Sequence, residues 1–428
     1  MKKLFIVLLS AVFFGSMLTA GYAKEPVKIR IAYYADQKPA ENMAGIINEF
    51  QKAHPNVKVQ ISWTDWDSHY EKLKTELAAG GGPTVYLLDS VYIQGYAGRG
   101  LLEDLSRRVK IFSKEKYSGL DAVKDPRGKS WAVPQGIQLQ VLYYNKDMFD
   151  KAGVKYPTAN WTTDDMLAAA KKLTLDTNGD GKIDQWGICL PNHIRWGWYS
   201  LIRTFGGDVM DKTRTRSTIK KDPRVKAALQ FMHDTWYKYK VSPTLKDAEG
   251  VLTPKYHTYF ARKIVAMWMD NFSRRIDSDQ AGINYDIQFV PKGPGPKGTR
   301  YSAIVANSWV LNKAAFKAEK DAGWEFIKFY MSDKGQSMYA EGGEALPSSK
   351  AACAAMLKKL GKPEHNLIYL DSMKYTDTMG ENAVWEEWYQ VVQDGLQEYL
   401  TNRVPLDDCL NKLDSNLQKV LDDWYKKK

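Results

Sequence analysis

The sequence predicts an α/β protein built of two lobes, and three observations carry that prediction. Residues 27–88 alternate strand and helix patterns in the order of a mainly parallel sheet. The chain has 428 residues, too many for one core and enough for two. The stretch 131–149, WAVPQGIQLQVLYYNKDMF, places Val133, Ile137, Leu139, Val141 and Tyr143 at odd positions. That period of two is what a half-buried strand needs. Pro134 and Gly136 interrupt its start, so it begins at an edge or a bend. It reads as a strand that leaves one lobe and enters the other, with the ligand cleft beside it.

The first residues read as a secretory signal peptide. Lys2 and Lys3 precede an apolar run over 4–18, and Gly21-Tyr22-Ala23 supplies small residues for cleavage before Lys24. The apolar core, about 15 residues, is short of the roughly 20 a spanning helix needs. The net charge is +11, with Lys and Arg interleaved among Asp and Glu. That pattern argues for a solvated basic surface rather than a nucleic-acid footprint. Cys189, Cys353 and Cys409 are too scattered for a disulfide framework or a zinc cluster. The 14 Trp and 25 Tyr are the unusual feature, because many stand in polar company.

Residues 27–33 alternate as a first strand. Pro39 and Glu41 open a helix, and Met43, Ile46, Ile47 and Phe50 share its inner face. Residues 57–63 form a second strand. A second helix over 68–79 stops at Gly80-Gly81-Gly82-Pro83. Residues 84–88 are nearly all apolar, as in a strand covered on both faces. Ligands bind past the C-terminal ends of such strands. Those ends carry Tyr33, Tyr34, Asp36, Trp63, Asp65, Trp66 and Asp89. For Asp89, capping the next helix is the competing role.

After the crossing strand, Thr162 or Thr163 caps a helix whose first turn holds Asp164 and Asp165. Asp222-Pro223 opens another. Residues 263–269 form a buried strand ending in Asp270-Asn271, and 285–290 a further strand. Residues 302–311 read as the return crossing, 316–331 as a helix, and 342–347 as a third crossing. From Ala383 the tail is mostly helical, with Leu406, Leu410, Leu413, Leu417, Val420 and Trp424 at helical spacing.

Asp176, Asn178, Asp180, Lys182 and Asp184 stand where an EF-hand loop places ligands one, three, five, seven and nine, with Gly181 at six. Gly187 stands where the bidentate Glu belongs. A structural calcium site and a plain Asn-Gly, Asp-Gly turn both fit; no cofactor is required. Gly293, Gly295 and Gly298 spell G-x-G-x-x-G, but Pro294 and Pro296 lack the N–H groups a pyrophosphate cradle needs. Neither H-E-x-x-H nor G-x-S-x-G is present, and Glu386 and Glu387 are adjacent, so on a helix they point about 100° apart.

The chain resembles the family 1 extracellular solute-binding proteins of ABC transporters, the maltose-binding-protein-like sugar receptors, over nearly all of its length after the leader. The residues that carry this are Ile46-Ile47-Asn48-Glu49-Phe50 through His54-Pro55-Asn56-Val57-Lys58-Val59, and Gly82-Pro83-Thr84-Val85. Tyr143-Tyr144-Asn145-Lys146-Asp147-Met148-Phe149, Ala266-Met267-Trp268 and Gly343-Glu344-Ala345-Leu346-Pro347 follow in the family's order. Thr84 departs from the family's usual Asp.

The resemblance implies a two-lobe, type II periplasmic binding protein fold, each lobe a mostly parallel sheet flanked by helices and joined by hinge strands. Lobe 1 is expected over 24–135 and 303–345. Lobe 2 is expected over 136–302 and 346–428, with the C-terminal helices. It implies a monomeric, periplasmic, non-enzymatic receptor that closes around a neutral mono- or oligosaccharide and delivers it to a membrane permease. A charged solute such as glycerol phosphate, or a secreted carbohydrate-active enzyme, is the alternative. Sugars are held by aromatic stacking and paired hydroxyls. The residues expected to do so are Tyr34, Asp36, Trp66, Asp89, Gln138, Trp196, Trp198, Trp268, Asp270, Trp309 and Glu344.

Overall fold

The computed structural model describes residues 25–35, 37–248, 255–295 and 298–426. The leader reading and Asp36 lie outside the described residues. Among the described residues the strands form one sheet of seven and one of four.

The larger sheet starts from β1 (Val27–Tyr34), which pairs in parallel with β2 (Val57–Thr64) along its whole length and with β3 (Val85–Asp89). The 17-residue helix Gln37–Ala53 connects β1 to β2, and the helix Trp66–Ala78 connects β2 to β3. The second helix starts two residues earlier than its apolar pattern suggests. Asp65 is the reason: its carboxylate accepts from the Ser68 N–H at 3.1 Å and caps the new end.

The alternating segment divides at Gln140. β4 (Val133–Leu139) lies in the larger sheet, and β5 (Val141–Asn145) lies in the smaller one. The Asn145 side chain caps the short helix Lys146–Lys151 by accepting from the Met148 N–H. β6 (Trp186–Ile188), β7 (Val265–Asp270) and β8 (Tyr285–Gln288) complete the smaller sheet in the order β6-β7-β5-β8. The helix Thr163–Leu173 covers it, closed by a capping box between Thr162 and Asp165.

β9 (Ser302–Leu311) returns to the larger sheet between β3 and β4, antiparallel to both. Both sheets are therefore mixed, not mostly parallel. A strand joined by a βαβ crossover enters parallel, whereas β4, β5 and β9 join the two sheets directly and run against their neighbours.

The expected third crossing is displaced. β10 (Leu346–Pro347) pairs with Ile137 and Gly136 in the larger sheet, and the helix Lys350–Lys359 packs beside it. The chain reaches the smaller sheet at His365, whose N–H donates to Asp286, and then with Ile368–Ser372, which packs on β5. Pro347, lacking an N–H, suits the sheet's edge, where β10 stands. β11 (Thr376–Asp377) then adds to the start of β9. The helices Trp385–Leu400 and Leu406–Tyr425 close the chain as a packed pair.

Candidate functional site

At the C-terminal edge of the larger sheet one carboxylate gathers three side chains. Asp89 ends β3 and is 4% exposed. It occupies the cap position of the helix Ser90–Gly98, yet its side chain makes no capping bond. Its Oδ1 accepts from the Tyr34 hydroxyl and from Asn307 Nδ2 at 2.7 Å. Its Oδ2 accepts from the Trp66 indole at 3.2 Å, and its backbone N–H donates to Tyr70 at 2.9 Å. Burial, then the charge of Asp89, push the Tyr34 phenol well up. Trp66 is 42% exposed, with its ring centroid 4.7 Å from that of Tyr70. Its indole is thus anchored at one end while the residue stays partly open to solvent. Beside Tyr34, Tyr33 donates to Glu344 Oε2 at 3.1 Å.

The smaller sheet presents a matching cluster. Asp270 ends β7 fully buried. Its Oδ1 accepts from the Trp196 indole at 2.9 Å and the Asn271 N–H at 2.7 Å; its Oδ2 accepts from the Trp268 indole at 2.8 Å. Burial pushes its carboxyl up, against the opposing pull of Arg274 and of these donors. Trp196 stacks on His193 with centroids 4.2 Å apart. Burial and the neighbouring Arg195 push His193 down, so the imidazole is neutral near pH 7.

Strand register ties the clusters together. Asn307 stands opposite Gly136 in β4, and Asp270 opposite Val141 in β5. Five residues of extended chain separate these positions, about 16 Å. Gln138 lies midway and donates to the Glu344 carbonyl at 3.1 Å. Gln140 points elsewhere: it is buried, donates to the Arg195 carbonyl at 2.6 Å and accepts from Ser200 at 2.9 Å. Gln138 and Glu344 line a cavity of about 890 Å³ between the helix Arg274–Gln280 on one side and residues 337–344 and 352–360 on the other. Across it Arg275 donates to the Gly343 carbonyl at 2.8 Å, joining the two units. Gly343 has φ 68°, the left-handed conformation that ends the helix Asp333–Gly342.

Of the residues expected to hold ligand, Tyr34, Trp66 and Asp89 meet in one cluster, and Trp196, Trp268 and Asp270 in the other. Gln138 and Glu344 line the cavity between the units. Trp198 and Trp309 stand apart from both clusters. Trp198 is fully buried, with its ring edge against Tyr199 and Trp388. Trp309 is fully buried among Tyr33, Phe326 and Tyr330. Each sits on an element covered on both faces, so neither offers an open ring. Trp268 is 1% exposed, and its indole donates to Asp270.

Asn307, Arg274 and Arg275 were not anticipated. Arg274 and Arg275 follow a buried strand within five residues, and that charge directly after a strand end is the signal that marks them. Asn307 carries no such signal, because only register brings it to Asp89. In the 176–184 loop, Asp176 accepts from the N–H groups of Gly179, Asp180 and Gly181. Asp180 accepts from the Lys182 N–H, and Asp184 from Thr177. Asn178 accepts from the Asp180 N–H.

Known proteins share this framework. The signature of the bacterial extracellular solute-binding proteins matches residues 34–337. A diacetylchitobiose binding protein of Streptomyces coelicolor is 24% identical over 336 residues, 77% of this chain and 75% of its own. A putative binding protein of Brucella abortus is 20% identical over 416 residues, 92% of this chain and 93% of its own. A Listeria monocytogenes ABC substrate-binding protein, solved with cycloalternan, superposes with a TM-score of 0.80 at 24% identity, covering 93% of this chain and 99% of that one. Maltose-bound MalE3 of T. maritima superposes with a TM-score of 0.75 at 24% identity, covering 92% and 100%. With its two joined α/β units and a signature match over most of its length, the chain belongs to the bacterial extracellular solute-binding proteins.

Proposed function

We propose that this protein is the receptor of an ABC importer, binding a neutral mono- or oligosaccharide between its two units and handing it to a membrane permease. The observation that carries the reading is the pairing of Trp66 with Asp89. An aromatic residue that is anchored by its N–H and partly open to solvent suits the C–H surface of a sugar. Polar groups of Gln138, Asn307, Arg274 and Glu344 stand near to satisfy hydroxyls, each of which would cost roughly 1–3 kcal/mol if buried unpaired. Relatives named for diacetylchitobiose and for galactooligosaccharide support the ligand class.

Lobe 1 in this reading ends at Leu139 and lobe 2 begins at Val141, with Gln140 at the hinge. Ligand contacts on both lobes favour the closed form by population shift. The protein works as a monomer in the periplasm, with residues 1–23 as its cleaved leader, and it performs no chemistry on the sugar. Calorimetry over a panel of neutral sugars tests the binding, and chromatography of the recovered sugar tests the chemistry. Micromolar binding with the sugar returned intact supports the reading; no binding across the panel, or turnover, overturns it.

A further inference from the structure

We propose that Asp286, Glu364 and His365 form a binding site for a divalent transition cation of the zinc type, away from the solute cleft. Their ligating atoms lie within 4.8 Å of one another, and among the described residues no other trio of His, Cys, Asp and Glu gathers this way. The donors come from two distant stretches. Asp286 is on β8, an edge strand of the smaller sheet. Glu364 and His365 lie in the segment between the helices Lys350–Lys359 and Ile368–Ser372, where the chain passes from one unit to the other.

The carboxylate of Asp286 is set for such a role. The side chain is 1% exposed. Its Oδ1 is held by the N–H groups of Ile287 at 2.9 Å and His365 at 3.0 Å. Its Oδ2 is directed at His365 Nδ1, 2.5 Å away, with the Tyr144 hydroxyl at 3.4 Å. A ligand oriented by backbone and hydroxyl donors is the usual support of a metal site. One imidazole nitrogen and two carboxylates make a mixed N/O set that suits Zn²⁺, with water completing the shell. Bonds of about 2.0–2.2 Å in a tetrahedral shell would set the ligand atoms about 3.4 Å apart, so Glu364 closes in while the Asp286–His365 pair, now 2.5 Å apart, opens to admit the ion. The Glu364 and His365 side chains, 70% and 59% exposed, are free to make that movement. Lys146 Nζ, 3.4 Å from Glu364 Oε2, is the competing cation. A bound metal displaces it and fastens the inter-unit segment to the edge of the smaller sheet.

The test is equilibrium dialysis of the full chain against Zn²⁺, with elemental analysis, and Co²⁺ substitution read by its visible d–d absorption. One equivalent should bind. Affinity should fall about tenfold or more in His365→Ala and in Glu364→Ala, and rise in Lys146→Ala, where the competing charge is gone. Circular dichroism of each variant checks that it folds. No stoichiometric zinc, or uptake unchanged in His365→Ala and Glu364→Ala, overturns the proposal. So does a Lys146→Ala variant that binds no more tightly than the parent.

Discussion

The Trp66 indole donates to Asp89 across 3.2 Å, and Asp89 leaves the helix it precedes without a side-chain cap. The carboxylate is thus committed to Tyr34, Asn307 and Trp66 rather than to the helix. Asp89→Ala should lower sugar affinity at least about tenfold and also cost about 1–3 kcal/mol of stability, because Tyr34 and Asn307 would lose a buried acceptor. Trp66→Ala should lower affinity with little change in melting, since the ring is 42% exposed. Calorimetry and thermal melting of the two variants separate these effects. Equal affinity in Trp66→Ala would remove the stacking role.

Gly136 sits at the irregularity of β4, where a Cβ would run into the Tyr339 side chain. The neighbouring Gln135 carbonyl is held by the Ser348 N–H at 3.1 Å and by Gln336 at 3.2 Å, so the strand has little room to shift. Gly136→Ala should cost about 1–3 kcal/mol, the usual range for overpacking. Ligand-induced closure, followed by small-angle scattering, should weaken with it. A variant that melts and closes like the parent would show the bend to be incidental.

Glu381 is 6% exposed, and both of its carboxylate oxygens are shut away from solvent. Burial raises its pKa, against weaker opposing effects that include the Arg214 charge. The sign follows from linkage. The folded state prefers the protonated form, so the native protein loses stability as pH rises above the unfolded value, about 4.3. Glu381→Gln should therefore raise the melting temperature at pH 7 by about 2–4 °C, for a gain of roughly 1 kcal/mol. At pH 4 the two proteins should melt together. A Glu381→Gln protein less stable than the parent at pH 7 would mean that the ionised carboxylate is stabilising.

The 176–184 loop makes a different kind of test. Asp176 and Asp184 already accept from the loop's own N–H groups, which hold the turn closed. Melting in calcium and in excess chelator should coincide. A higher melting point in calcium, lost in Asp180→Asn, would place an ion there by mass action.

Local patterning made much of the fold readable. The alternation of 131–149, the β-α-β-α-β run and the apolar stretch 302–311 correspond to elements of the structure, because period and end signals are local properties. The tryptophans were harder to place. Trp66 and Trp198 each start a helix, and nothing nearby in sequence says that one ring stays partly exposed while the other is sealed by Tyr199 and Trp388.

The sequence by itself determined that this is an α/β chain of two units with a crossing strand near Gln138, since hydrophobic period and length need no partners to be read. Only the tertiary structure decided which carboxylates gather aromatic N–H groups, and that Asn307 and Arg275 join the site. Asn307 reaches Asp89 because β9 pairs with β3 in one register, and Arg275 reaches Gly343 because a helix of one unit meets a helix end of the other. Both contacts span long stretches of chain, and no local pattern encodes them.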